Sequence, residues 1–171
     1  DEIEQLTEKL NEEIKESLNN AQSESKNLEE QMKGVEKMLT EKKNLDWNDK
    51  RKIQELLEKK KAIQEKLKNS IQKNLEKNFK ENEFNSQQEE LLEKQKKLED
   101  IMKDVLDEET QKLMDKIQEL LNKNKKDELQ NALQELKFDE KQLNKEMDRL
   151  LELFKELELE KKLLDTIDKL N

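Results

Sequence analysis

Apolar residues recur along this chain at intervals of three and four, almost from end to end. Ile3, Leu6 and Leu10 share a helical face with Ile14, Leu18 and Ala21, and the steps of 4, 4 and 3 from Leu10 to Ala21 keep that face nearly straight. From Leu18 the stripe passes through Ala21, Ser25, Leu28, Met32, Val35 and Leu39 in alternating steps of three and four, the spacing of a coiled-coil seam with Ser25 as its polar member. A first helix over residues 3–43 follows from this pattern. Gly34, beside Val35, either permits close packing or simply costs about 1 kcal/mol of helix propensity.

The run "KKNLDWNDK" interrupts the period. Asp46 is placed to cap the next helix, with Leu45 and Trp47 as apolar surface packing around a tight connection. A second helix, residues 48–82, presents Ile53, Leu56, Leu57, Ile63, Leu67, Ile71, Leu75 and Phe79. The steps from Ile63 onward are all four, so this face drifts around the axis and calls for a third surface rather than a two-stranded zipper. Asn82, Asn85 and Ser86 mark a second break, where Ser86 and Glu89 form a capping box before Leu91 and Leu92. A third helix at 87–106 carries Leu98, Ile101, Met102, Val105 and Leu106, and Asp107 caps a further one with Leu113, Ile117, Leu120 and Leu121.

"NKNKKDELQNAL" is another polar interruption, with Asp127 as the cap of a short segment containing Leu129, Leu133 and Leu136. Phe138, Asp139, Gln142 and Leu143 then combine a hydrophobic staple with a capping box, which starts the final helix near residue 140. Its seam is Leu143, Met147, Leu150, Phe154 and Leu157, continued by Leu164 past the polar Lys161. Leu151, Leu153, Leu159, Leu163, Ile167 and Leu170 widen the apolar face beyond a zipper stripe, which implies burial against more than one helix or against a partner.

The expected fold is all-α, either elongated antiparallel helical hairpins or a three- or four-helix coiled-coil-like bundle. Residues 1–84 read as one long hairpin of roughly 50–60 Å at about 1.5 Å rise per residue. Residues 85–171 read as a module of short central helices and a long final helix, with 109–137 running back along 140–170. This second module is either separate from the first or continuous with it.

Only 30% of the 171 residues are hydrophobic and 46% are charged, too polar for a broad core. Disorder is the alternative, but the regular Leu and Ile spacing, the Glu, Lys and Gln content and the absence of proline favour solvated helices with narrow apolar stripes. Acidic-to-basic pairs four residues apart support helicity: Glu55 with Lys59, Glu93 with Lys97, Glu99 with Lys103, Glu119 with Lys123, Glu158 with Lys162, and Asp165 with Lys169. The net charge of −9 is uneven, at −5 over 1–45, +3 over 46–85, −2 over 86–126 and −5 over 127–171, so the second quarter lies favourably beside the first.

Charge and residue supply narrow the chemistry. An acidic chain with only Arg51 and Arg149 as guanidinium donors is a poor binder of nucleic acid or of an anionic membrane. The basic stretch "DKRKIQELLEKKKAIQEKLK" reads as the solvated face of the second helix. Cysteine and histidine are absent, which removes disulfides, thiolate chemistry, zinc ligands and the histidines of a di-iron bundle. A single glycine cannot form a phosphate-cradling loop, and "KMLTEKKNLDWNDK" lacks the acidic spacing and central glycine of a calcium loop. Glu12 and Glu16, Glu89 and Glu93, and Glu152 and Glu156 share helical faces, but water-facing carboxylates lack the distinct environments that separate an acid from a base. The expectation is a chain that is not an enzyme, with no catalytic, cofactor-binding or metal site. Met32, Met38, Met102, Met114 and Met147 offer an adaptable surface for a client helix, or plain core packing.

"LDWNDKRKIQELLEKKKAIQEKL", "EELLEKQKKLEDIMKDVLDEETQKLMDKIQELL" and "MDRLLELFKELELEKKLLDTIDKL" resemble an uncharacterised family of large Bacteroidota proteins with long helical regions and membrane segments near the amino terminus. The resemblance covers residues 45–170, most specifically 91–121 and 127–168, through the shared order of "LDW", "LDEE", "DELQ" and "DRLLELFK". It implies a membrane-tethered cell-envelope setting and brings no catalytic residues. The opening "DEIEQLTEKL" has neither an initiator Met nor an apolar leader, and no apolar run exceeds two residues, so a fragment or processed product is expected, with membrane attachment only through segments outside this chain. The function expected is a noncovalent structural or protein-interaction module, with a protein partner or self-association. The alternative is a regulatory or chaperone-like module binding a client helix.

Overall fold

The computed structural model describes residues 2–84, 89–105 and 108–170. It contains α1 (Glu2–Glu41), α2 (Trp47–Phe84), α3 (Glu89–Val105), α4 (Glu108–Asn122) and α5 (Lys126–Leu170), and no strand among the described residues. The fold is all-α, as the periodicity requires. None of these helices is long and apolar enough to cross a membrane.

Two compact units form. Unit 1 comprises Asp1–Asn20, Lys66–Leu106 and Glu146–Asn171, and unit 2 comprises Ala21–Glu65 and Asp107–Lys145. Each is a bundle section drawing on both halves of the sequence.

In unit 2 the helix directions follow from their pairings. Glu36 meets Lys137 and Gln134, while Glu29 meets Asn144, so α1 and α5 are antiparallel. Lys59 donates to Gln31 and Lys42 to Asp49, which makes α1 and α2 antiparallel as well. The seam expected from Leu18 onward is buried at every position, Ser25 included. Each buried Leu, Ile or Met contributes about 1.5–3 kcal/mol, far more than any surface ion pair.

Two turns shape this unit. Asp46 accepts from the Asp49 amide at 2.8 Å and Asp49 accepts from the Asp46 amide at 3.0 Å, a reciprocal capping box with aspartate in the place usual for glutamate. After α4, Asn124 adopts the left-handed region at φ 56°, the Lys125 amide reaches the Leu120 carbonyl at 3.3 Å, and the Asn124 amide reaches Leu121 at 3.4 Å. These are the two bonds of a Schellman stop, with asparagine where glycine is commonest. Lys125 rather than Asp127 precedes the next helix, since its carbonyl accepts from Leu129 at 2.9 Å; Asp127 lies in the first turn, where its charge complements the helix dipole.

The break expected at Phe138 and Asp139 does not occur. α5 runs unbroken through it, Phe138 is exposed, and the chain reverses at 123–125 instead. The reason lies in the seam. Leu129, Leu133, Leu136, Glu140, Leu143, Met147, Leu150, Phe154 and Leu157 are all buried with steps of three and four, so the apolar phase passes through residue 140 once Glu140 is counted as a member. Local capping residues yield to that continuity.

In unit 1, Lys77 with Asn11 and Lys73 with Glu13 set α2 antiparallel to α1. Asn78 with Glu99 and Gln95 with Glu81 set α3 antiparallel to α2. The caps expected at Ser86 and Asp107 lie outside the described residues.

Candidate functional site

At the centre of unit 2, three polar side chains meet where the seams of three helices would place apolar ones. Ser25 of α1 donates its hydroxyl to Glu140 Oε1, and Lys60 of α2 donates to Glu140 Oε2 at 2.6 Å. All three residues are buried. Each carboxylate oxygen accepts one hydrogen bond from a buried partner, so both oxygens of Glu140 are satisfied within the core. Such a set disfavours other registers, because a one-residue slip of α2 or α5 strands a charge in the core, and a slip of α1 removes the hydroxyl from Glu140. Ser25 was legible as a seam member; Lys60 and Glu140 were not, since charged residues carry no apolar signal.

Unit 1 places polar groups in its interior differently. The α2 seam, apolar at Ile63 and Leu67 after Lys60, continues through Ser70, Asn74, Lys77 and Asn78, all buried. Lys77 donates to Asn11 Oδ1 at 3.1 Å and its Nζ stands 4.7 Å from the centre of the Phe154 ring. Burial, reinforced by the charge of Lys161, pushes the Lys77 amine down to about 7, while Glu81 and Glu158 oppose the shift. Asn78 donates to Glu99 at 2.7 Å, but neither polar atom of the Asn74 side chain has a hydrogen-bond partner, nor does Gln95 Oε1.

The drift expected beyond Ile63 is therefore corrected. Ile71 is half-buried, and Leu75 and Phe79 are 41% and 68% exposed, because the buried stripe keeps its alternation of three and four instead of following the leucines. α5 behaves similarly past Leu157: Lys161 and Leu164 are half-buried, while Leu159, Leu163, Ile167 and Leu170 face water at steps of 4, 4 and 3. Lys155, Lys162 and Lys169 are exposed along the same stretch. These four residues form an exposed aliphatic ribbon along one face of α5.

Other sequence candidates fall elsewhere. Glu12, Glu16, Glu89, Glu93, Glu152 and Glu156 are all exposed, and no group of three or more acidic residues among the described ones is placed to hold a metal ion. Met32, Met102, Met114 and Met147 are buried; Met38 alone of the five is half-buried. It lines a shallow cleft of 350 Å³ between α1 and α2, together with Gly34, Lys52 and Glu55. A Cβ added at Gly34 would meet nothing within 4 Å, so close packing is not the reason for this glycine. Trp47 does not pack into the turn: it is 71% exposed, with the Arg51 guanidinium 5.5 Å over its ring. Among the expected acidic-to-basic pairs, Glu119 meets Lys123 at 2.6 Å and Glu158 meets Lys162 at 3.4 Å, whereas Glu55 turns to Arg51 and Lys59 to Gln31.

Asp49, beneath the α1–α2 turn, is buried and held below the usual carboxylate range, chiefly by the Lys42 amine at 2.8 Å and then by the Asp46 amide, against the opposing effect of burial. Its role is to anchor the turn. No protein-family model, curated protein or solved structure matches this chain.

Proposed function

We propose that this chain is a noncovalent structural or protein-interaction module of a larger membrane-associated cell-envelope protein. The observation that carries the interaction reading is the exposed ribbon of Leu159, Leu163, Ile167 and Leu170 in a chain otherwise sparing of apolar residues. The envelope setting rests on the resemblance to the Bacteroidota family, with membrane attachment supplied by segments outside this chain. The buried seams serve as the stiff support that holds the ribbon in place.

A second reading, a regulatory or chaperone-like module that receives a client helix, draws on the same spacing, since steps of 4, 4 and 3 suit an amphipathic segment laid alongside. Self-association would use it equally well.

Crosslinking mass spectrometry on the full-length protein in its native membrane fraction tests the proposal. The expected result is a set of links from Lys155, Lys162 and Lys169 to one envelope protein, or to a second copy, that disappears in a Leu159→Lys/Leu163→Lys variant with unchanged helicity. Links confined to neighbouring residues of the same chain would overturn it.

A further inference from the structure

Along the part of α2 that lies in unit 1, polar and apolar residues occur as adjacent twins: Ser70 and Ile71, Asn74 and Leu75, Asn78 and Phe79. In every twin the polar member is buried and the apolar member lies further out. One residue is about 100° of helix, so a single rotation by that angle brings all three apolar members to the places of their polar neighbours together. Leu67 is four residues before Ile71, and a one-residue adjustment of the helix between 67 and 71, of the π-bulge kind, joins the rotated stretch to the unrotated seam.

We propose that residues 68–84 of α2 have two packings, the polar-in arrangement observed and an apolar-in arrangement in which Ile71, Leu75 and Phe79 take the places of Ser70, Asn74 and Asn78. The two are closely matched because each forfeits what the other gains. Polar-in keeps the bonds of Lys77 to Asn11 and of Asn78 to Glu99, together with the Lys77 amine over Phe154. It leaves the Asn74 amide without a partner and Leu75 and Phe79 in water. Apolar-in reverses both conditions. An apolar stripe directly beside a buried polar one is a local conflict of the kind that brings two packings close in energy. This inference does not depend on what binds the ribbon of α5.

The rotation also carries Lys77 outward, which links the equilibrium to pH. Around that amine stand Lys161 and Glu158 on α5 and Glu81 on α2; Lys15 on α1 pairs with Glu158, and Glu99 on α3 accepts from Asn78. The inward amine releases its proton near 7, whereas an outward one keeps it to about 10.5. Apolar-in therefore gains as pH falls toward 7, by up to about tenfold in population per pH unit, and gains nothing more below that.

The chain has no cysteine, so single Asn74→Cys, Leu75→Cys and Glu76→Cys variants report each position by thiol labelling, with position 76 outward in both packings. Rates are normalised to position 76 at each pH. The expected result is that position 74 labels through an opening insensitive to denaturant, that position 75 labels more slowly than 76, and that the ratio of 74 to 75 rises between pH 9 and pH 7. Lys77→Met removes the pH dependence. Adding Ser70→Leu/Asn74→Leu, which fills the polar-in core, brings position 75 up to the rate of 76; this arm stands even where Asn74→Cys itself folds poorly. Labelling of position 74 only on global unfolding, with 75 equal to 76 at every pH and in the leucine-filled background, overturns the proposal.

Discussion

Both units bury polar side chains where α2 faces inward, and they treat them in opposite ways. In unit 2, Lys60 enters a core in which a carboxylate and a hydroxyl complete its hydrogen bonding. In unit 1, Lys77 enters a core with an asparagine oxygen and an aromatic face, and Asn74 enters with nothing. The contrast extends to the surface. Leu6, Leu75, Phe79 and Leu92 in unit 1 join the ribbon of α5 as exposed large apolar residues, whereas unit 2 exposes Trp47 and Phe138. Unit 2 leaves one buried polar atom without a partner, Asn144 Oδ1, but its buried lysine and carboxylate are paired, and a bundle whose interior charges are paired has a well-determined register. One with stranded amides inside and leucines outside has reason to repack or to seek a partner.

The largest effect expected from breaking this contrast is in unit 2. Glu140→Ala leaves the Lys60 amine buried without its carboxylate and should destabilise by about 3–5 kcal/mol in urea unfolding. The triple replacement Ser25→Ala/Lys60→Met/Glu140→Leu, which removes the whole network, should be neutral or stabilising. A similar loss in both would show that the network contributes stability as well as register.

In unit 1 the corresponding effect is one of pH. Between about 7, where the folded chain releases the Lys77 proton, and 10.5, where the unfolded chain does, the unfolded state holds the extra proton. Unfolding free energy from this group therefore rises with pH across that window, at a limiting slope of about 1.4 kcal/mol per pH unit, and is flat below it. Lys77→Met should remove that slope in denaturant titrations run from pH 7 to 10.

Asn74→Leu should stabilise by about 1–3 kcal/mol, because it replaces an unpartnered amide with an apolar side chain. A loss of stability instead would indicate that the amide finds a partner in solution.

At the turn of unit 2, the lowered pKa of Asp49 contributes stability that is complete above 3.8, the carboxyl's value in the unfolded chain, and is lost as pH falls through the folded value. Asp49→Asn should cost about 1–2 kcal/mol at neutral pH and flatten the acid limb of the stability profile. The smallest effect is at Gly34, where the added Cβ meets no neighbour and φ is not positive; Gly34→Ala should raise stability by up to about 1 kcal/mol in the same assay.

Much of this architecture was legible in the residues alone. The seam from Leu18 to Leu39 and that from Leu143 to Leu157 follow from spacing, because a long helix can bury only what recurs at three and four. The cap at Asp46 was legible too, since a single side chain beside a polar break suffices to mark it. The break expected at Asp139 illustrates the limit: staple and box are a few residues of local preference, while the seam through Glu140 draws on two other helices.

Spacing and composition by themselves determined that the chain is helical, where most of its apolar stripes lie and that Asp46 caps the turn after α1, because these depend on residues within a few positions of one another. Only the tertiary structure decided which polar residues enter the core and which leucines stay outside. Whether Lys60, Asn74 or Glu140 is tolerated inside depends on what three separate helices bring to the same level, and no interval along one helix records that.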